Sequence, residues 1–325
     1  VPENIPLKEI DVTEKPESPG SSASLSRRKL LEFSAKVSTV SLLGAATLLS
    51  GCDDSSAQVS WAENFQKAYR LMSADEVAAA IKRLEARYSE HFSKAVSVDS
   101  SKAEPGVLFG AALNLQKCIG CRRCVKACTL ENNQSRTEGE ETEWIRVLKM
   151  EQEPTQQEDA EHYYQSESVP QQNAHYMPIS CMQCENPPCV KVCPVQATYR
   201  EDDGIVVVDY NWCIGCRMCI QACPYWARRF NWREPGLSSE QLNPNTHYLG
   251  NRPRMKGVVE KCTFCIQRVR KGRNPACVEA CPVGARKFGN LLDENSEIRK
   301  VLASKRVFRL KEELNTEPKF FYFAD

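Results

Sequence analysis

Two cysteine groups in the middle of the chain restrict its possible folds more than any other feature. Cys181-Met182-Gln183-Cys184 is followed by Cys189 and by Cys193-Pro194. Cys213-Ile214-Gly215-Cys216-Arg217-Met218-Cys219 is followed by Cys223-Pro224. The second group spells C-x2-C-x2-C-x3-C-P, the spacing that wraps a [4Fe–4S] cluster. Three thiolates this close can meet three iron corners because the loop between them curls round the cube. A fourth, four residues on at helical spacing, can turn to a different cluster. Such a cluster asks for soft, deprotonated sulfur, which Cys supplies. A zinc ribbon also uses C-x2-C pairs, but it takes four ligands in two pairs and has no use for a third Cys three residues later.

The same grouping runs through the chain. Of 17 Cys in 325 residues, sixteen fall into four groups: Cys118/Cys121/Cys124/Cys128, Cys181/Cys184/Cys189/Cys193, Cys213/Cys216/Cys219/Cys223 and Cys262/Cys265/Cys277/Cys281. An exported chain could spend this many Cys on disulfides, but the tight spacing argues for metal. With 43 Lys and Arg against 42 Asp and Glu, nothing points to a nucleic-acid partner. Each oxidised cube with four thiolates carries about −2. Arg122, Arg123, Lys126, Arg217, Lys261 and Arg268 stand close enough in sequence to offset that charge, or simply to form a solvated surface.

Three segments are expected: a leader and signal over residues 1–51, a helical extension over 52–105, and a four-cluster domain over 106–325. Residues 1–26 are polar and rich in Pro and Ser, and read as disordered. Ser26-Arg27-Arg28-Lys29-Leu30-Leu31 ahead of the apolar run from Val37 to Leu49 has the form of a twin-arginine export signal. The run suits a signal core or an uncleaved anchor, and is short for a spanning helix. Leu49-Ser50-Gly51-Cys52 resembles a lipobox, which would make Cys52 a lipidated N-terminus, with Asp53 resembling an inner-membrane retention signal. Otherwise Cys52 is a buried thiol or an unused residue of the signal. Ser73-Ala74-Asp75-Glu76 reads as a capping box. Val77, Ile81, Leu84 and Tyr88 follow as an amphipathic stripe, packed on the core or serving as a docking arm. Strands are expected over residues 106–115, 144–150 and 204–209, with surface loop over 151–173. Residues 231–257 read as a long connection of the kind that contacts partners.

Cys193-Pro194-Val195-Gln196-Ala197, Cys223-Pro224-Tyr225-Trp226-Ala227 and Cys281-Pro282-Val283-Gly284-Ala285 repeat one pattern; Cys128 breaks it, being followed by Thr129. The repetition points to duplicated cluster-binding units. The expected fold class is therefore α+β: two ferredoxin-like two-cluster units with a helical N-terminal extension. Cys118-Ile119-Gly120-Cys121-Arg122-Arg123-Cys124, the Cys181–Cys189 segment, Cys213-Ile214-Gly215-Cys216 and Lys261-Cys262-Thr263-Phe264-Cys265 occur in the order of one family. Over about residues 107–323 the chain resembles the four-cluster ferredoxin subunit of polysulfide reductase, dimethyl-sulfoxide reductase and related respiratory complexes. Because all four Cys of the third group are present, the resemblance implies four [4Fe–4S] clusters. It also implies crossed ligation: Cys118, Cys121 and Cys124 with Cys281; Cys262, Cys265 and Cys277 with Cys128; Cys181, Cys184 and Cys189 with Cys223; and Cys213, Cys216 and Cys219 with Cys193.

The expected function is electron transfer. Every thiolate corner is filled by Cys, and the sequence carries no nucleotide loop, nucleophile triad or His-rich metal site. By resemblance, one end docks a membrane quinone-interacting subunit of the polysulfide-reductase type. The other meets a catalytic molybdopterin subunit, a hydrogenase or a multihaem cytochrome, on the periplasmic face of the bacterial cytoplasmic membrane. The rival reading is a catalytic iron–sulfur oxidoreductase acting on a small substrate, which substrate turnover by the isolated chain would favour. A third reading is a zinc-stabilised scaffold, which a brown colour bleached by dithionite would exclude.

Overall fold

The computed structural model describes residues 72–137, 141–151, 157 and 160–325. The leader, the twin-arginine and lipobox readings, Cys52 and the start of the helical extension lie outside these residues.

Short ladders organise the rest, each bringing a strand alongside the entry to a cysteine loop. Strand β1 (Ser97–Asp99) belongs to the extension, and β2 (Phe109–Asn114) leads to Cys118. β3 (Arg146–Glu151) pairs antiparallel with β4 (Ala174–Ile179), which leads to Cys181. β5 (Thr198–Arg200) pairs antiparallel with β6 (Val206–Val208), which leads to Cys213. β7 (Arg228–Phe230) pairs antiparallel with β9 (Val259–Lys261), which leads to Cys262; β8 (Asn245–His247) lies between them in sequence. β10 (Arg286–Asn290), β11 (Val307–Phe308) and β12 (Phe320–Phe323) join β2 in a four-stranded sheet of order β10-β2-β12-β11. Here β10 runs antiparallel and β12 parallel to β2.

The strands that sequence placed on apolar runs are buried on both faces, for a reason visible in β2. Ala111 and Leu113 point into the main core with Cys128, Ile205 and Tyr322. Ala112, on the opposite face, packs with Ile298, Phe321 and Phe323, where the helix Glu297–Ser304 covers the sheet. Val206, Val207 and Val208 are likewise all buried. Among the described residues, no helix is long and apolar enough to cross a membrane.

The extension is a strap over the segment 231–257. Helix α1 (Ala74–Phe92) starts at the capping box: Glu76 N donates to Ser73 Oγ at 3.3 Å, and Ser73 N to Glu76 Oε2 at 2.7 Å. The stripe runs from half-buried Ile81 and Leu84 to buried Tyr88 and Phe92, which cluster with Val96, Val98 and Leu242. Each fully buried side chain of this kind contributes roughly 1.5–3 kcal/mol. Tyr88 Oη donates to Pro253 O at 3.1 Å. β1 pairs parallel with β8. The long connection 231–257 thus carries a strand and the surface that receives the extension. Its strand partner lies about 150 residues away, so local periodicity could not reveal it.

His247 fastens this strap. Its Nε2–H donates to Ser101 O at 3.0 Å, and its Nδ1 accepts from Leu249 N at 3.1 Å, which requires a neutral ring. Burial, with Arg270 and Lys271 nearby, depresses its pKa from 6.5 to about 4, despite the opposing pull of Asp99 and Ser101. A depressed His contributes stability that is complete above pH 6.5 and is lost as pH falls towards 4. Between pH 7 and 5 the strap should lose about 2 kcal/mol, at ~1.36 kcal/mol per unit. Protection factors of residues 74–99, taken relative to intrinsic exchange at each pH, should fall accordingly, and those in His247→Gln should lack that pH dependence.

Candidate metal centre

All four C-x2-C loops share one backbone device. The residue before the second Cys is left-handed in each: Gly120 (φ 73°), Gln183 (47°), Gly215 (71°) and Phe264 (55°). A left-handed residue at this point helps turn backbone N–H groups into the loop, a concavity of the kind found at iron–sulfur and phosphate sites. At Gly215 a Cβ would stand 2.1 Å from Gly257 O, so both the dihedral and the close approach demand glycine. Gln183 and Phe264 hold the same conformation at a cost of about 1–3 kcal/mol each. Contacts offset it: Gln183 Nε2 donates to Cys262 O at 2.7 Å and its Oε1 accepts from Val206 N at 2.8 Å. Phe264 packs edge-on against Phe288. The third Cys of each group sits in a short helix: Cys124 in Arg123–Glu131, Cys189 in Pro188–Lys191, Cys219 in Met218–Gln221 and Cys277 in Ala276–Glu279. Each helix carries the chain away from its own loop before or at the fourth Cys.

The sulfurs gather across the sequence groups. Cys118, Cys121 and Cys124 line one cavity with Cys281. Cys262, Cys265 and Cys277 line a second with Cys128. Cys213, Cys216 and Cys219 line another with Cys193. Cys184 has Cys181, Cys189 and Cys223 as its thiol neighbours. We call these the first, second, fourth and third sets respectively, because they follow one another in space. Cys277 of the second set senses Cys124 and Cys281 of the first. Cys262 senses Cys181 of the third, and Cys219 of the fourth senses Cys189 of the third. All four Cys of the third set are buried, whereas Cys216 of the fourth is exposed.

All sixteen are free thiols, and among the described residues no three His, Cys, Asp or Glu converge on a point where a single ion would sit. A zinc site needs all its sulfurs about 2.3 Å from one centre. Four soft donors ringing a cavity fit a multi-iron cluster instead. Burial, reinforced by neighbouring thiols, pushes Cys118 up to about 11 and Cys184 and Cys262 up to about 12. The bare thiols therefore keep their protons at neutral pH, and binding metal displaces them.

Of the cations singled out from the sequence, Arg122 lines the cavity of the first set and Arg217 that of the fourth, while each also holds other partners. Arg122 binds Glu143 at 2.8 Å, Arg268 binds Glu131 at 3.0 Å, and Lys261 Nζ donates to the carbonyls of Val206 and Cys262. Arg217 stacks on Trp232, and Arg123 and Lys126 line an open groove beside Cys121. Arg286 instead reaches Cys124 Sγ at 3.5 Å and Cys277 Sγ at 4.0 Å, and Arg228 lies among Cys189, Cys219 and Cys181. Each follows its group's fourth Cys by five residues, in Cys-Pro-x-x-Ala-Arg. Extending the repeat by one position would have found both; the remaining copy carries Thr198 there. Gln134 Nε2 to Cys128 Sγ (3.1 Å) and Asn132 Nδ2 to Cys265 Sγ (3.5 Å) add side-chain donors that no motif signals.

Comparison with known proteins agrees with this geometry. Residues 117–197, and residues 172–241 with 247–291, match the family description 4Fe-4S dicluster domain. The chain is 42% identical to the Hdr-like menaquinol oxidoreductase iron–sulfur subunit 1 of Archaeoglobus fulgidus, over 65% of this chain and 81% of that protein. It is 38% identical to a component of the polysulfide reductase of Wolinella succinogenes, over 63% and 87%. It is 35% identical to a component of the tetrathionate reductase of Salmonella typhimurium, over 70% and 77%.

Proposed function

Because the chain belongs to the 4Fe-4S dicluster ferredoxin subunits of dimethyl-sulfoxide-, polysulfide- and tetrathionate-reductase-type complexes, we propose that it holds four [4Fe–4S] clusters in a line. It is an iron–sulfur electron-transfer subunit of a respiratory reductase complex. Each cluster, when bound, takes up and returns one electron. In this reading Cys118, Cys121, Cys124 and Cys281 ligate one cluster; Cys128, Cys262, Cys265 and Cys277 a second; Cys181, Cys184, Cys189 and Cys223 a third; and Cys193, Cys213, Cys216 and Cys219 the fourth. The observation that carries it is the gathering of each fourth Cys with three from another group, in four sets that neighbour one another in turn.

The chain's own residues set the ends of that line. Around exposed Cys216 stand Ile214, Met218 and Trp232, all large, apolar and exposed, beside Arg217 and Arg233. Clustered exposed apolar side chains of this kind mark protein contacts, which supports docking of a redox partner at the fourth set. Beside Cys121 of the first set, Arg122, Arg123, Lys126 and Arg136 line a second groove, which supports a partner with an acidic face at the other end. The partners we assign are a membrane quinone-interacting subunit and a catalytic molybdopterin or hydrogenase subunit or multihaem cytochrome. Export through Arg27 and Arg28, with lipid on Cys52, would place the assembly at the periplasmic face of the membrane.

Coulometric reduction of the anaerobically purified chain tests the reading. About four electrons per chain should be taken up, one for each cluster, with bleaching of a brown visible band. A colourless, zinc-bearing chain that takes up none would refute it.

A further inference from the structure

We infer that Arg286 and Arg228 are shared counter-charges, each set between two neighbouring cluster sites and raising the reduction potential of both. The inference rests on the four-cluster reading above.

Arg286 lines the cavities of both the first and the second set. One guanidinium nitrogen faces Cys124 Sγ at 3.5 Å, the other Cys277 Sγ at 4.0 Å. Arg228 stands in the equivalent place between the third and fourth sets. It lines the cavity of Cys193, Cys213, Cys216 and Cys219 and lies close to Cys189 and Cys181 of the third set. Its Nη2 donates to Thr198 Oγ1 at 2.8 Å, and Thr198 Oγ1 donates in turn to Val207 O at 2.7 Å. That chain of bonds fixes the guanidinium, while Nη1 is buried without a hydrogen-bond partner.

Both side chains are buried. A buried guanidinium is costly unless negative charge surrounds it. The groups around them are cysteines: Cys189, Cys219 and Cys181 for Arg228; Cys124, Cys277 and Cys118 for Arg286. Protonated thiols would supply no such charge. A cube with four thiolates carries about −2 when oxidised and one unit more when reduced. A cation shared between two such sites favours the added electron on either side. Hydrogen bonds to the ligating sulfurs act in the same direction, since they are among the determinants of cluster potential. Each Arg belongs to a Cys-Pro-x-x-Ala-Arg segment, so the turn after the fourth thiolate also delivers the cation. The copy that lacks it, at Thr198, supplies the anchor for Arg228.

The test is a potentiometric titration of the full, cluster-loaded chain followed by EPR, with signals assigned through cysteine variants. In Arg286→Gln the two clusters of the first and second sets should each show about a tenfold lower reduced-to-oxidised ratio at a given potential, or about 59 mV for one electron. The other two should stay unchanged. Arg228→Gln should give the mirror result, and it keeps the test open if Arg286→Gln loses its clusters. Arg286→Lys and Arg228→Lys, which retain the charge, should hold the parental potentials. Unchanged midpoints in the Gln variants, a uniform shift of all four, or Lys variants falling as far as Gln would each overturn the inference. Failure of the underlying reading would look different: the parent chain itself would lack four reducible centres.

Discussion

Cys193→Ala should abolish the same EPR signal as Cys213→Ala and leave the signal lost in Cys181→Ala in place. In sequence Cys193 belongs with Cys181, Cys184 and Cys189, so a self-contained group would give the opposite result. Two structural features move it. The helix Pro188–Lys191 holds Cys189 and ends just before Cys193, carrying the chain off its own loop. The strand Thr198–Arg200 that follows is then laid antiparallel along Val206–Val208, the strand that leads into Cys213. Cys193 ends up lining the cavity of Cys213, Cys216 and Cys219. By the same logic Cys223→Ala should act on the signal lost in Cys181→Ala. The expected effect is loss of one whole centre of four. If Cys193→Ala and Cys181→Ala strike the same signal, the crossed ligation is wrong, although electron transfer as a function could survive it.

Arg254→Ala should cost about 3–5 kcal/mol in chemical denaturation of the loaded chain, the range for breaking one side of a buried pair. Arg254 and Glu260 each have side chains only 1% exposed and are bonded to each other. The guanidinium also donates to Arg252 O at 3.0 Å and Asn133 O at 2.8 Å, as well as to Asn132 O, and lies over the Trp144 ring. Removing it strands a buried carboxylate and leaves the carbonyls of Asn132 and Asn133 without that donor. Asn132 also faces Cys128 and Cys265 through its amide, so the second thiol set should be disturbed along with stability. Replacing both partners, Arg254→Met with Glu260→Leu, removes the stranded charge and should recover most of the loss. A single-variant cost below about 1 kcal/mol, the range of an exposed pair, would contradict this account.

What could be read from the sequence was local. The C-x2-C loops, the Cys-Pro-x-x-Ala repeat, the capping box at Ser73 and Glu76, and the buried valine strand all declare themselves within a few residues. The crossed gathering of thiols was expected only through family resemblance, because spacing alone leaves the fourth Cys free to turn either way. What stayed hidden depends on pairing across the chain. β1 meets β8 near residue 245, and Arg286 meets Cys124 over a separation of 162 residues. The long connection 231–257 gave no sign of its strand because its apolar residues, Leu237, Leu242 and Tyr248, have no periodicity of their own; they are spaced to receive α1. The basic residues singled out near the motifs divide for a related reason. Arg122 and Arg217 line cysteine cavities, whereas the fold turns Arg268 to the carboxylates of Glu131 and Glu279.

Mössbauer spectroscopy of the chain produced with 57Fe addresses the central claim most directly, since it counts iron and reports its cluster type together. Four sets of four thiols imply about sixteen irons per chain, all with the parameters of [4Fe–4S] centres, and with no mononuclear component. A chain with only a few irons, a dominant single-iron spectrum, or zinc in their place would contradict it.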